Sequence, residues 1–219
     1  MTNTKYKIFL LLFISSNPVN RMEITMTNNS KEQTMRNNLF KELEAYNEHY
    51  IYLEELVSMC NDFDKFDSAR NKAPNSMRIL ESACVDAMMM EFARFYDNDK
   101  NAKSVLTLLE KCANNGNSSL FQDKNRVLLK IDEFEKEIQT NEYISTGIST
   151  LKMRRDKYFA HNDKKYFVNQ EKDNSYLPMY KLWFMKEFIK KVIHYLYSEL
   201  GGNVESLEKP IYNADLINI

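Results

Sequence analysis

Residues 35–63 read MRNNLFKELEAYNEHYIYLEELVSMCNDF. Within them Leu39, Leu43, Tyr46, Tyr50, Leu53, Val57 and Cys60 recur at steps of 4, 3, 4, 3, 4 and 3 residues. That spacing draws one apolar seam along a helix and predicts long helices packed at a shallow angle. The seam reads as one helix of an intramolecular bundle in preference to a free coiled coil. Composition agrees: only 4 Gly and 4 Pro punctuate 219 residues, too few for a sandwich or barrel with a turn every ten residues or so.

The rest of the chain extends the helical pattern. A turn is expected at Asn71-Lys72-Ala73-Pro74, with Asn75 or Ser76 as N-cap. Residues 76–96 are apolar nearly all round, which predicts the central buried helix, with Met88, Met89 and Met90 as adaptable core. Asp97-Asn98-Asp99-Lys100-Asn101 has the look of a calcium loop. The required Gly is Ala102 and the bidentate acid is Leu108, so it reads instead as a turn into a short helix over 103–112. Residues 114–119 read as a loop. Residues 123–140 form an amphipathic pattern with Leu128, Ile131, Phe134 and Ile138 inside. Another helix is expected over 141–162 through Ile144, Ile148 and Leu151. Pro178 suits a first helical position. Leu182, Met185, Phe188, Ile189, Val192, Ile193 and Leu196 carry the last long helix, which Gly201-Gly202 should stop. The expectation is an all-α bundle of about five to six helices, with no repeat and no strand.

Several function classes fall away. With 30 basic and 31 acidic residues the net charge is −1, which excludes a generally basic nucleic-acid coat but not a local patch. Neither GxGxxG nor GxxxxGK[ST] occurs. Cys60, Cys84 and Cys112 are too few, and odd in number, for a disulfide framework; they read as core thiols in a reducing cytoplasm. Scattered His and Cys give no zinc spacing, so neither a metal nor a cofactor is expected. His49 and His194 read as structural, and the tyrosines and phenylalanines lie mostly at core spacing. Near the start, Lys5-Tyr6-Lys7 precedes the apolar run Ile8–Ile14. This resembles a signal peptide but is too short to span a bilayer. An unpaired tail, or a true start at Met22 or Met26, accounts for it better, and no membrane partner is expected. Residues 15–35 are polar and read as a linker.

One stretch carries chemistry: Arg154-Arg155-Asp156-Lys157-Tyr158-Phe159-Ala160-His161-Asn162-Asp163. From 152 to 165 six cations (Lys152, Arg154, Arg155, Lys157, Lys164, Lys165) face two anions, a local balance of +4. An anion would be drawn there. At about 100° per residue, Arg155 falls about 20° from Ile144, on the apolar stripe. A charge there must be paired or open into a cleft. His161 lies about 120° away on the same count, so the two meet only if the cleft wraps the helix end. An imidazole shuttles protons near neutrality, and a guanidinium holds phosphate in a fixed fork. Together, without metal ligands, they suit cleavage of RNA by its own 2′-hydroxyl. The other reading makes Arg155 half of an ion pair and His161 a cation at a helix C-terminus.

Arg155-Asp156, four residues, then His161 resembles the motif of the HEPN superfamily. The string RDKYFAHND, with Glu91-Phe92-Ala93-Arg94-Phe95-Tyr96-Asp97, is similar to its AbiU-like branch, named for abortive phage infection. The resemblance covers residues 36–200. It implies a HEPN-like helical bundle that dimerises and brings two Arg/His motifs into one cleft. On that analogy Arg155 grips the scissile phosphate, His161 is the general acid/base and Asp156 orients one of them. Arg154, Lys157, Asn162, Lys164 and Lys165 would bind substrate. The implied activity is a metal-independent endoribonuclease of a phage-defence or toxin type, with RNA, a second copy and a cognate antitoxin as partners. Asp163 stands where some antitoxin-controlled members have a modified Tyr, and members of this branch are not uniformly established as nucleases. A non-catalytic RNA-binding or protein-docking module is therefore the alternative. The expected organisation is residues 1–35 as a flexible or untranslated segment, 36–200 as the helical domain and 201–219 as a tail.

Overall fold

The computed structural model describes residues 18–155 and 177–208, with side chains from residue 29 onward, Asp64 excepted. Eight α-helices lie in these residues: α1 (Pro18–Asp62), α2 (Asp67–Lys72), α3 (Pro74–Phe95), α4 (Val105–Ala113), α5 (Asn115–Ser118), α6 (Lys124–Thr140), α7 (Glu142–Arg154) and α8 (Met179–Glu199). One short 3-10 turn joins α1 to α2 and another follows α8, and no strand occurs among the described residues. Six helices are nine residues or longer, as an all-α bundle of five to six helices requires.

The seam of α1 behaves as its spacing dictates. Leu39, Leu43, Tyr46, Tyr50, Leu53 and Val57 are buried and Cys60 is half-buried. Helix α1 begins at Pro18, where polar composition predicted a linker. Propagating a helix fixes one residue per hydrogen bond gained, so a nucleated helix extends through polar residues that bury little. Side chains from Asn29 to Gln33 are accordingly exposed.

Helix α8 is the centre of the bundle, and α3 is not, which corrects the reading of 76–96. Leu182, Met185, Phe188, Ile189, Val192, Ile193 and Leu196 are all buried, and α8 packs on α1, α3, α6 and α7. It runs antiparallel to α1: Arg36 donates to the Leu200 carbonyl at 3.2 Å, and Lys186 meets Glu54 at 2.9 Å. Helix α3 runs antiparallel to α1, from Cys84 beside Cys60 (3.4 Å) to Arg94 beside His49 (3.1 Å). Only its second half is enclosed, through Met88, Met89, Phe92 and Phe95. Its first half leaves Ile79 66 % and Leu80 47 % exposed, because there α1, α2 and α3 form a projecting hairpin without a third layer. Pro74 itself is the first residue of α3 and Ala73 its cap, so the expected caps Asn75 and Ser76 lie inside the helix.

Smaller differences follow from packing. Val127, rather than Leu128, joins Ile131, Phe134 and Ile138 on the inner face of α6. The 114–119 loop contains one helical turn, α5. Pro178 caps α8 rather than entering it. Gly201 terminates α8 with φ +97°, a left-handed conformation that glycine adopts without strain. Cys84 and Cys112 are buried, and burial pushes the Cys112 thiol up to about 12. They pack as the core thiols that the sequence suggested. Beyond Gly202 a 3-10 turn folds back so that Asn47 donates to the Leu207 carbonyl at 2.7 Å. Among the described residues no helix is long and apolar enough to cross a membrane.

Candidate functional site

Helix α7 places Arg155. Its N-cap Asn141 accepts the amides of Tyr143 (3.0 Å) and Ile144 (3.4 Å), which fixes the start of the helix. Ile144, Gly147 and Leu151 turn inward. At the crossing with α8, a Cβ built on Gly147 would lie 2.4 Å from Met185 Sδ. The helices therefore approach closely only because residue 147 has no side chain. Arg155 follows the last residue of α7 with φ −54° and ψ −52°, its amide bonding to the Leu151 and Lys152 carbonyls. It continues the inner stripe, as the angular count required.

The opposite wall comes from the end of α3. Tyr96 is fully enclosed; burial pushes its phenol well up, and its hydroxyl donates to the Met185 carbonyl at 2.8 Å. Next to it Asp97 begins the 97–103 loop. One Asp97 oxygen accepts the Asp99 amide at 3.1 Å and the other accepts Arg155 Nη1 at 2.6 Å. Burial raises the Asp97 carboxyl, but the Asp99 amide, the hydrogen bond and charge of Arg155, and the Asn98 amide outweigh that and hold it below the usual aspartate range. The carboxylate is fixed by backbone on one side and aims Arg155 with the other.

Between these walls lies a cavity of about 300 Å³ bordered by Ala93, Tyr96, Asp97, Ile148, Leu151 and Arg155. The Arg155 side chain is 32 % and the Asp97 side chain 25 % exposed. The pair is thus half in water, and its cation is reachable from the cavity. Lys152, Asn98 and Asp99 complete the rim. The floor is apolar, the cation is braced, and the mouth carries polar groups of both signs. Such a place suits one anionic group attached to something flat or apolar.

Of the site residues expected from sequence, the described part of the chain contains Arg154 and Arg155. Arg154 is the last residue of α7 and partly buried. Asp156, Lys157, His161, Asn162, Lys164 and Lys165 lie outside the described residues. Asp97 was overlooked as a site residue. Sequence offered one signal for it: an arginine on an apolar stripe must find a carboxylate, and Asp97 closes the string 91–97.

An Arg/His contact joins α3 to α1. Arg94 Nη1 lies 3.1 Å from His49 Nδ1, and Arg94 Nη2 lies 3.2 Å from Glu91. His49, expected to be merely structural, is therefore tied to an arginine. Among the described residues no group of three or more His, Cys, Asp or Glu side chains could hold a metal ion.

No curated protein and no solved structure matches the sequence. The family model of AbiU2, a HEPN family, matches residues 32–216. The match takes in all of α3, α7 and α8 together with Asp97 and Arg155, and the chain belongs to the AbiU2 family of HEPN domains.

Proposed function

We propose that the protein is a metal-independent endoribonuclease of a phage-defence or toxin-type system. The observation that supports it most is Arg155, braced at 2.6 Å by Asp97 in a half-open cavity and standing six residues before His161. In this reading a phosphodiester of RNA enters the cavity and Arg155 binds its non-bridging oxygens. His161 takes the proton of the neighbouring 2′-hydroxyl. The 2′-oxygen attacks phosphorus, the bond to the 5′-oxygen breaks, and the departing oxygen receives a proton. The products are a 2′,3′-cyclic phosphate and a free 5′-hydroxyl, and no water or metal is consumed. Arg155 stabilises the charge gathering on the phosphorane oxygens.

Asp97 braces Arg155, and Asp156, the polar residue of the motif, orients Arg155 or His161. Arg154, Lys157, Asn162, Lys164 and Lys165 add cations and donors along the strand. A second copy completing the cleft, and an antitoxin restraining it, belong to the same proposal. The alternative, a non-catalytic RNA-binding or docking module, draws on the same pair, since an ion pair with Asp97 also serves a purely structural Arg155. The test is incubation with total RNA and tRNA in EDTA, wild type beside His161→Ala and Arg155→Ala. The ribonuclease reading expects cyclic-phosphate ends from wild type alone. Intact RNA with every preparation, including one from phage-infected cells, sinks it.

A further inference from the structure

The loop that carries Asp97 has a second side. Beyond Asn98 it presents Lys100 and Lys103, both exposed and neither in an ion pair among the described residues. They border a groove of about 380 Å³ with Tyr46 and Thr107. Lys103 also borders a small recess of about 20 Å³, together with His49 and Arg94. The walls of that recess are almost wholly apolar.

Two of the cations around this groove, Lys100 and Lys103, are left over after local needs are met. A guanidinium only donates, so His49 must accept Arg94 at Nδ1 and carries its ring proton on Nε2. Arg94 is anchored by Glu91, which is 7 % exposed, while the Arg94 side chain is 47 % exposed. Of the loop's acids, Asp97 is paired with Arg155, while Asp99 accepts the Asn101 amide at 2.9 Å and borders the Arg155 cavity. Glu42 is tied to Lys111. Glu110 alone among the lining acids has no such partner, against Lys100 and Lys103. The groove lining therefore keeps a small excess of positive charge, only a few residues of chain from the Arg155 cavity.

We propose that this groove is a second phosphate subsite. It would hold the backbone of single-stranded RNA flanking the nucleotide at Arg155, with the strand passing over Asn98 and Lys100. The idea rests on the ribonuclease reading for the nature of the ligand. Lys100 and Lys103 are its donors.

Lys100→Gln/Lys103→Gln tests it, because both side chains are exposed and their loss leaves Glu91–Arg94 untouched. Binding is measured in a His161→Ala background, so that no strand is cut, against salt concentration. The probes are a labelled single-stranded RNA of about 20 nucleotides, longer than a typical single-strand site, and a trinucleotide. For the longer RNA the double variant should flatten the slope of log affinity against log salt by roughly 1.4, at about 0.7 per lost phosphate contact. The corresponding loss of affinity near physiological salt is on the order of ten-fold. Trinucleotide affinity should stay unchanged. An unchanged slope for the longer RNA overturns the subsite and leaves the Arg155 reading standing, as would a groove that docks a protein. Equal losses for both RNAs overturn it too, since Lys100 and Lys103 would then act at the Arg155 cavity itself. If the parent protein binds neither RNA, the ribonuclease reading and the subsite fall together.

Discussion

Arg94 and Arg155 flank the end of the same helix, and each is held by a carboxylate. Arg94 takes its acid from its own helix, Glu91 three residues back, at 3.2 Å. Arg155 takes Asp97 across 58 residues of chain, at 2.6 Å. The first guanidinium is displayed on the surface. The second sits over an apolar floor with Leu151 and Ile148 beside it. A cation's chemistry thus depends on what surrounds the pair more than on the pair itself. An exposed pair contributes about 0–1 kcal/mol and steers ligands, whereas a braced cation in a cavity binds one group in one geometry.

Predictions follow from this contrast, the largest first. Arg155→Ala should lower the rate of RNA cleavage at least on the order of 100-fold, the usual cost of losing one donor to developing charge. Arg94→Ala should leave the initial rate on a trinucleotide within about two-fold, as a group away from the reacting atoms would. Equal losses in both variants would erase the distinction drawn here.

Gly147→Ala probes the frame that holds Arg155. Its new methyl meets Met185 at the α7–α8 crossing and should destabilise the fold by roughly 1–3 kcal/mol, read from urea unfolding. A change below about 0.5 kcal/mol, the range of surface substitutions, would mean that Met185 moves aside and the crossing is loose.

Asp97→Asn removes the anchor of Arg155 while keeping its shape. Stability should fall by about 1 kcal/mol or less, since the pair is partly in water. Cleavage should fall further than stability does, with Asp97→Glu restoring part of it. Full activity in Asp97→Asn would show that Arg155 needs no brace.

The smallest effect is in pH. The folded Asp97 carboxyl titrates below its ordinary value, so its contribution is present above the usual aspartate range. It is lost as pH falls through that range and below. Wild type should therefore lose more stability than Asp97→Asn between about pH 5 and pH 2. Parallel curves from acid titration of the two proteins would contradict it.

Much of this architecture was legible in the linear pattern. The 4-3 spacing from Leu39 to Val57 gave the buried face of α1, and the run from Leu182 to Leu196 gave that of α8 almost residue for residue. Turning α7 in steps of about 100° put Arg155 on its inner stripe, and the demand for a partner or a cleft was met by both. Helix α3 was misjudged because apolar residues all round a helix record its affinity for burial, not the supply of neighbours. Ile79 and Leu80 stay exposed for want of a third layer. Gly147 passed unnoticed inside α7, since one glycine in a helical pattern does not say what approaches it.

The linear pattern was enough to place the long helices and the buried faces of α1 and α8, because propensity, caps and apolar period act within a few residues of chain. It also marked Arg155 as a cation in need of a partner. Only the tertiary structure decided that the partner is Asp97, that α8 is the centre, and that His49 meets Arg94. Those pairings depend on which helices cross and where, and crossings are fixed by the close packing of side chains far apart in the chain.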